Sequence, residues 1–376
     1  MSHFFNGCLL TFIIVIIGYA VGSVEICKLH LGTSGILFVA LLFGHFGAEL
    51  SPTLQNLGLM IFVGAVGLIA APEFLENFKR GALSFLLLGI IIVGIGGIST
   101  YVFMKIFDLP VALSLGMMAG ALTSTPALAT AIEATADATA SVGYGIAYPF
   151  GVFGVVLFVQ LVPKILKIDF GEEVKNCTLS SQTKSSNGER VNLISLDHYG
   201  FSIFALCLAV GTFIADTKIP IMPGKYLKLG ASGGPLLAGL LLGNIKHIWR
   251  LSFKIDVHLL NLYRELGLVL FLTSAGTRAG KGFVEIVSQY GITLFVVSAL
   301  ITLMPMIIGY VVAKYLLRLG ALDIFGSICG GMTSTPALGT LIDISATNLV
   351  AVPYASTYPF ALIGIMFIVQ IIYALC

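Results

Sequence analysis

The residues of this sequence with chemistry to offer are hydroxyls set in a doubled pattern. Thr-Ser-Thr-Pro-Ala-Leu runs from Thr123 to Leu128 and again from Thr333 to Leu338, an offset of 210 residues. Gly116, Gly120, Thr130, Ile132, Tyr144, Tyr148-Pro149-Phe150, Gly154 and Gln160 return as Gly326, Gly330, Thr340, Ile342, Tyr354, Tyr358-Pro359-Phe360, Gly364 and Gln370. Hydroxyls donate to a solute without bringing charge. A proline-marked break also frees backbone N–H groups at a new helix start, where the helix dipole favours anionic groups. Thr123, Ser124, Thr125 and Pro126, with Thr333, Ser334, Thr335 and Pro336, are therefore the candidate substrate site. A lone Ser or Thr in a membrane helix more often bonds its own i−4 carbonyl or a neighbouring helix. Six identical residues in each half argue instead for binding.

Four kinds of residue flank this core. Tyr148 and Tyr358 either pack against a second proline kink or face the substrate. Glu133 is answered by Asp343, past the motif in each half. Either carboxylate sits at the membrane surface where its segment ends or, if buried, couples transport to Na⁺ or H⁺. Arg278 closes an apolar run, as a snorkelling side chain or as a forked clamp for a carboxylate. The histidines (His3, His30, His45, His198, His247, His258) form no cluster, and Cys8, Cys27, Cys177, Cys207, Cys329 and Cys376 show neither metal spacing nor a disulfide framework. No Ser-His-Asp, H-E-x-x-H or Walker pattern is present, so neither an enzyme nor a primary pump is expected, and no cofactor or metal beyond a coupling ion.

The elements that must position these residues are membrane helices. Of 376 residues, 57% are hydrophobic and 10% charged, with mean hydropathy +1.02, against roughly 25% charged in soluble domains. The formal net charge of +2 gives no reason to expect nucleic acid. The apolar stretch near the N-terminus lacks a basic n-region and a small-residue cleavage site, and reads as a first span.

Apolar segments fall at about 8–24, 33–47, 54–71, 82–106, 111–132 and 142–166, then at about 199–215, 232–245, 262–280, 289–316, 320–342 and 348–375. This divides the chain into a first repeat, 1–170, a polar cytoplasmic linker, 171–198, and a second repeat, 199–376. With the N-terminus outside and the two motif segments broken or re-entrant, Lys28, Lys79-Arg80, Lys164-Lys167, Lys246-Arg250-Lys254 and Lys314-Arg318 all fall inside. Lys105, Lys218, Lys225, Lys228, Arg278 and Lys281 are the exceptions. The charge bias thus favours two inverted repeats of about five spans each. Their motifs would meet near the midplane, where secondary transporters bind substrate.

The paired motif, with Gly267-Leu268-Val269-Leu270-Phe271, Gly276-Thr277-Arg278-Ala279-Gly280 and Phe283, resembles the aspartate:alanine exchanger family of bacterial transporters. The resemblance covers both membrane halves. It implies an all-α polytopic inner-membrane protein with periplasmic termini. It further implies antiport of a small anionic or zwitterionic solute, typically an acidic amino acid exchanged for a neutral one. Relatives commonly carry a large central cytoplasmic insert with regulatory ligand-binding domains, and this chain has only the short linker there. The first half reads Gly67-Leu68-Ile69-Ala70-Ala71-Pro72-Glu73-Phe74 where the second has the arginine and its Ala-Gly step, which leaves aspartate or a dicarboxylate open as substrate. A bundle carrying the motifs and sliding against a homodimeric scaffold is the expected movement. The alternative is a cation/proton antiporter or channel using Glu133 and Asp343.

Overall fold

The computed structural model describes residues 2–26, 29–30, 33–79, 83–168, 170, 199–222, 225–228, 230–245, 247–248, 251–252 and 255–376. The linker, 171–198, lies outside the described residues, as do Lys28, Arg80, Lys246, Arg250, Lys254, Cys27 and Cys177.

In the first half the helices are α1 (Ser2–Gly22), α2 (Ser34–His45), α3 (Pro52–Lys79), α4 (Leu83–Ile106), α5 (Val111–Ala121), α6 (Thr125–Thr135) and α7 (Thr139–Ile165). In the second they are α8 (Phe201–Ala215), α9 (Gly230–Leu242), α10 (Val257–Ala279), α11 (Phe283–Tyr290), α12 (Ile292–Val311), α13 (Ala321–Gly331), α14 (Thr335–Ser345) and α15 (Ala351–Leu375). The order of the first half is repeated, with α11 standing where α3 simply continues. Short antiparallel hairpins, Glu25–Ile26 with Leu29–His30 and Lys218–Met222 with Lys225–Lys228, join α1 to α2 and α8 to α9; a third, His247–Ile248 with Leu251–Ser252, precedes α10.

Helix is the backbone's solution for chains like these, since apolar surroundings supply no partner for a bare N–H or C=O. The outward faces are as apolar as the core. On α4, Leu88, Ile92 and Val93 are buried, while Ile90, Ile98 and Ile106 are more than half exposed. Phe213 is 85% exposed and Ile292 79%. Water would penalise such surfaces, so they face lipid. Among the described residues, five helices are long and apolar enough to cross a membrane: Pro52–Pro72, Leu83–Ile106, Thr139–Ile165, Ile292–Leu316 and Ala351–Leu375. The protein is a multi-pass membrane protein.

Close contacts give the helix directions. Gly116 of α5 lies against the Ala140 carbonyl and Gly120 against that of Tyr144, so α5 and α7 run the same way. The connection between α6 and α7 is short, so α6 must run back between their levels. Segment 111–132, read as one interrupted unit, is therefore a helical hairpin of two arms, each about 16 Å long at 1.5 Å per residue. Its tip lies beside Gly151, at the middle of α7. Segment 320–342 forms the matching hairpin, α13–α14.

Further contacts extend the frame. Gly89 and Gly97 of α4 lie against Thr357 and Ile368 of α15, so those helices are parallel. Phe150 and Gly154 of α7 meet Phe295 and Thr302 of α12 in the same sense. The short link from α4 to α5, with Gly96 against Leu122, makes that pair antiparallel. It follows that α7 and α15, corresponding helices of the two halves, run in opposite directions. So do α3 and α10, which cross where Gly58 meets Phe271 and Gly267 meets Phe62.

The close approach of α5 and α7 can be tested. A Cβ at Gly116 would overlap the Ala140 carbonyl, whereas Gly94 has nothing within 4 Å of that position. Gly116→Ala is expected to destabilise the purified protein by about 1–3 kcal/mol through overpacking, and Gly94→Ala to be neutral or slightly stabilising. Chemical unfolding of the two variants in detergent makes the comparison.

Candidate functional site

The hairpin tip begins as a helix C-terminus. After α5, Thr123 takes the left-handed conformation (φ 52). The Ser124 amide donates to the Ala119 carbonyl at 2.8 Å and the Thr123 amide to Gly120 at 2.9 Å, a Schellman closure. Thr333 (φ 51) repeats it, with Ser334 donating to Cys329 and Thr333 to Gly330. A β-branched residue at positive φ is strained, by roughly 1–3 kcal/mol. The two tips offset this by exchanging hydrogen bonds. The Thr123 hydroxyl donates to the Met332 carbonyl at 2.8 Å, and the Thr333 hydroxyl to the Leu122 carbonyl at 2.7 Å. Each threonine thus satisfies the carbonyl just before its counterpart, and the two hydroxyl oxygens lie 3.4 Å apart.

From the tip the chain restarts. Ser124 is the N-cap of α6, its hydroxyl accepting from the Ala127 amide at 3.4 Å. Pro126 occupies the first turn of α6 and Pro336 that of α14. The expectation that these prolines break a helix is corrected: the Schellman closure reverses the chain, and proline pre-sets the next start where its missing N–H costs nothing. Pro149 and Pro359 lie inside α7 and α15, which continue through them.

Two tyrosines that sequence reading did not single out complete the site. Thr125 and Tyr144 share a hydrogen bond at 3.1 Å between hydroxyls, and Thr335 and Tyr354 one at 3.2 Å. Tyr144 stacks on Tyr148 at 5.2 Å between ring centroids, and Tyr354 on Tyr358 at 5.5 Å. Both pairs obey the 210-residue offset, the one signal that could have found them. Tyr148 and Tyr358 are thereby fixed as the second ring behind each hairpin.

The halves differ in exposure. Thr125 is half-buried and Pro126 buried, whereas their counterparts Thr335 and Pro336 are exposed. Ser334 is fully buried and its hydroxyl has no hydrogen-bond partner among the described residues.

The carboxylates differ as well. Glu133 reaches the start of α9, accepting from the Ala231 amide at 2.6 Å, the Ser232 amide at 3.2 Å and the Ser232 hydroxyl at 2.9 Å. Thr130 adds a bond to the Ser232 hydroxyl. Charge and dipole are matched in this cap. Gly230, at φ 63, leaves room for it, since a Cβ there would overlap the carboxylate. Asp343 sits exposed on α14 and has no partner among the described residues. Arg278 donates to the Gln55 side chain at 2.9 Å, joining the end of α10 to the start of α3. Among the described residues no hydrogen bond ties it to either hairpin. Among the described residues no cluster of His, Cys, Asp or Glu could hold a metal ion.

Two substitutions test the tip. Thr123→Val keeps the branched shape, leaves the Met332 carbonyl unpaired, and is expected to cost about 1–3 kcal/mol; Thr123→Ser should recover most of it. Thr123→Val with Thr333→Val should depart from additivity, because the two residues form one network. Thermal unfolding of the purified variants reads both effects.

Comparison with known proteins agrees with this architecture. Residues 10–164 and 203–374 match the family described as Predicted Permease Membrane Region (Asp-Al_Ex). A Bacteroides fragilis protein named an uncharacterized transporter is 26% identical over 514 aligned positions, covering 96% of this chain and 97% of the relative. A Desulfotalea psychrophila protein with the same designation is 28% identical over 516 positions, covering 96% and 95%. These alignments are longer than the 376 residues of this chain, so the relatives contain segments with no counterpart in it. With both membrane halves matched, the chain belongs to the Asp-Al_Ex permease family and is a membrane transporter.

Proposed function

We infer that this transporter is a secondary exchanger of a small carboxylate-bearing solute, held between the two hairpin tips. The observation that carries this reading is the meeting of two helix starts, α6 and α14, beside Thr125–Tyr144 and Thr335–Tyr354. N-terminal amides and hydroxyls suit a carboxylate, and the buried hydroxyl of Ser334 is a spare donor beside the open arm. Thr335, Pro336, Gly339 and Asp343 form an exposed stripe on α14. A carboxylate and hydroxyls facing lipid would be costly, so this stripe belongs to a water-filled vestibule.

The opposed directions of α7 and α15, and of α3 and α10, support inverted repeats spanning 1–170 and 199–376, joined by the 171–198 linker. The contacts also divide the helices into two sets. The hairpins lie with α4, α7, α12 and α15, while α1–α3 pack with α8–α10. We assign the first set to the moving bundle and the second to a scaffold that dimerises in the inner membrane. The aligned positions that relatives have in excess fit a central insert which this chain replaces with its linker. Glu133 is already spent on α9, which weighs against the cation/proton antiporter or channel. Na⁺ or H⁺ coupling is left to the solute site itself.

The test is a thermal-shift screen of the purified protein against amino acids and dicarboxylates, with and without Na⁺, followed by exchange in vesicles. A ligand at 100 times its Kd should stabilise the fold by about 2.7 kcal/mol. For any solute found, Thr125→Val with Thr335→Val should lower exchange at least tenfold. Wild-type exchange in that double variant would remove the site assignment.

A further inference from the structure

The two halves match in sequence but not in docking. On α6, the face bearing Thr130 and Glu133 is covered by the start of α9, at Gly230-Ala231-Ser232-Gly233. By the internal repeat, α9 corresponds to α2, whose start reads Gly32-Thr33-Ser34-Gly35, and Glu133 corresponds to Asp343. The matching face of α14 carries Thr340 and Asp343, yet α14 does not pack on α2 as α6 does on α9. It lies exposed, with Asp343 unpartnered among the described residues. Thr33, the N-cap of α2, likewise makes no side-chain cap bond among the described residues.

One half is therefore latched and its twin open, although both carry the same parts. We propose that the start of α2, Thr33 to Gly35, is a second carboxylate dock. In the opposite-facing state Asp343 caps it, while Glu133 releases α9. The inference rests on the alternating-access reading above and specifies its latch. The exchange is close to balanced, one carboxylate–amide cap lost for one gained. A single protonated or amidated carboxylate then decides which state is populated. Glu is longer than Asp by one methylene, so the two docks are alike without being identical. The state with Glu133 engaged is the one seen.

Hydrogen exchange of the wild-type-cysteine protein in lipid nanodiscs tests this without any solute. Amides at 231–234 report the α9 dock and those at 33–37 the α2 dock. Glu133→Gln should speed exchange at α9 by about tenfold or more and slow it at α2. Asp343→Asn should do the reverse, slowing α9 and speeding α2. If Asp343→Asn leaves both segments at wild-type rates, or Glu133→Gln speeds α9 with no response at α2, the proposal is overturned and Glu133 is only a local cap. Should Glu133→Gln not fold, Asp343→Asn, altered at an exposed side chain, decides the matter alone. Reciprocal protection changes without solute movement in vesicles would keep the latch and remove the exchanger reading. Solute exchange with unresponsive amides would do the opposite.

Discussion

The structure turns on a pair of crossed hydrogen bonds. Each hairpin tip ends α5 or α13 with a carbonyl that its own helix cannot satisfy, at Leu122 and at Met332. Each is answered by a threonine hydroxyl from the other tip. Within an apolar bundle an unpaired carbonyl is expensive, so neither hairpin can stop at the level of α7's middle on its own. The strained backbone of Thr123 and Thr333 is held by the same bonds. Two polar, non-spanning segments become tolerable inside the molecule only because they are buried against each other.

That arrangement explains where the groups of the candidate site lie. Turning the chain at Thr123 rather than at Pro126 places Ser124 as a cap and points the start of α6 back toward its starting face. Thr125 then falls directly after the tip as the first residue of α6, within reach of Tyr144, and Glu133 falls at the far end of the arm, where it meets α9. One hairpin thus links the centre of the molecule to the boundary between its two sets of helices. A displacement at one end of an 11-residue rigid arm is felt at the other.

How much of this could be read beforehand depends on the range of the interaction. The repeat was legible because it is an identity of letters, and with it came the pairing of the two motifs and the correspondence of nearly every helix. The role of proline was not legible, since a proline inside a helix and one in its first turn look the same in an apolar sequence. What decided between them was the positive φ of a threonine, which no propensity would assign. The same blindness applies at Asp108 and Arg318, also left-handed (φ 49 and 52) at matching positions despite opposite charge. Glu133 was singled out, but its partner is the uncharged start of a helix 98 residues away. Arg278 was read as either a snorkelling side chain or a carboxylate clamp, and its bond to Gln55, 223 residues distant, was in neither reading. Tyr144 and Tyr354 lay inside the repeat without any feature to set them apart from core aromatics.

The crossed threonines also order events at the ribosome. The first hairpin is complete once Thr135 has been made, but the hydroxyl and carbonyl that satisfy its tip belong to residues 332 and 333. At roughly 5–20 residues per second, the roughly 200 further residues from Thr135 to Thr333 take about 10–40 s to synthesise. Through that interval the Leu122 carbonyl and the Thr123 hydroxyl must be served by water or by the insertion machinery. The nascent first half therefore enters the bilayer with its polar tip unsheltered, and its release into lipid has to wait for its twin.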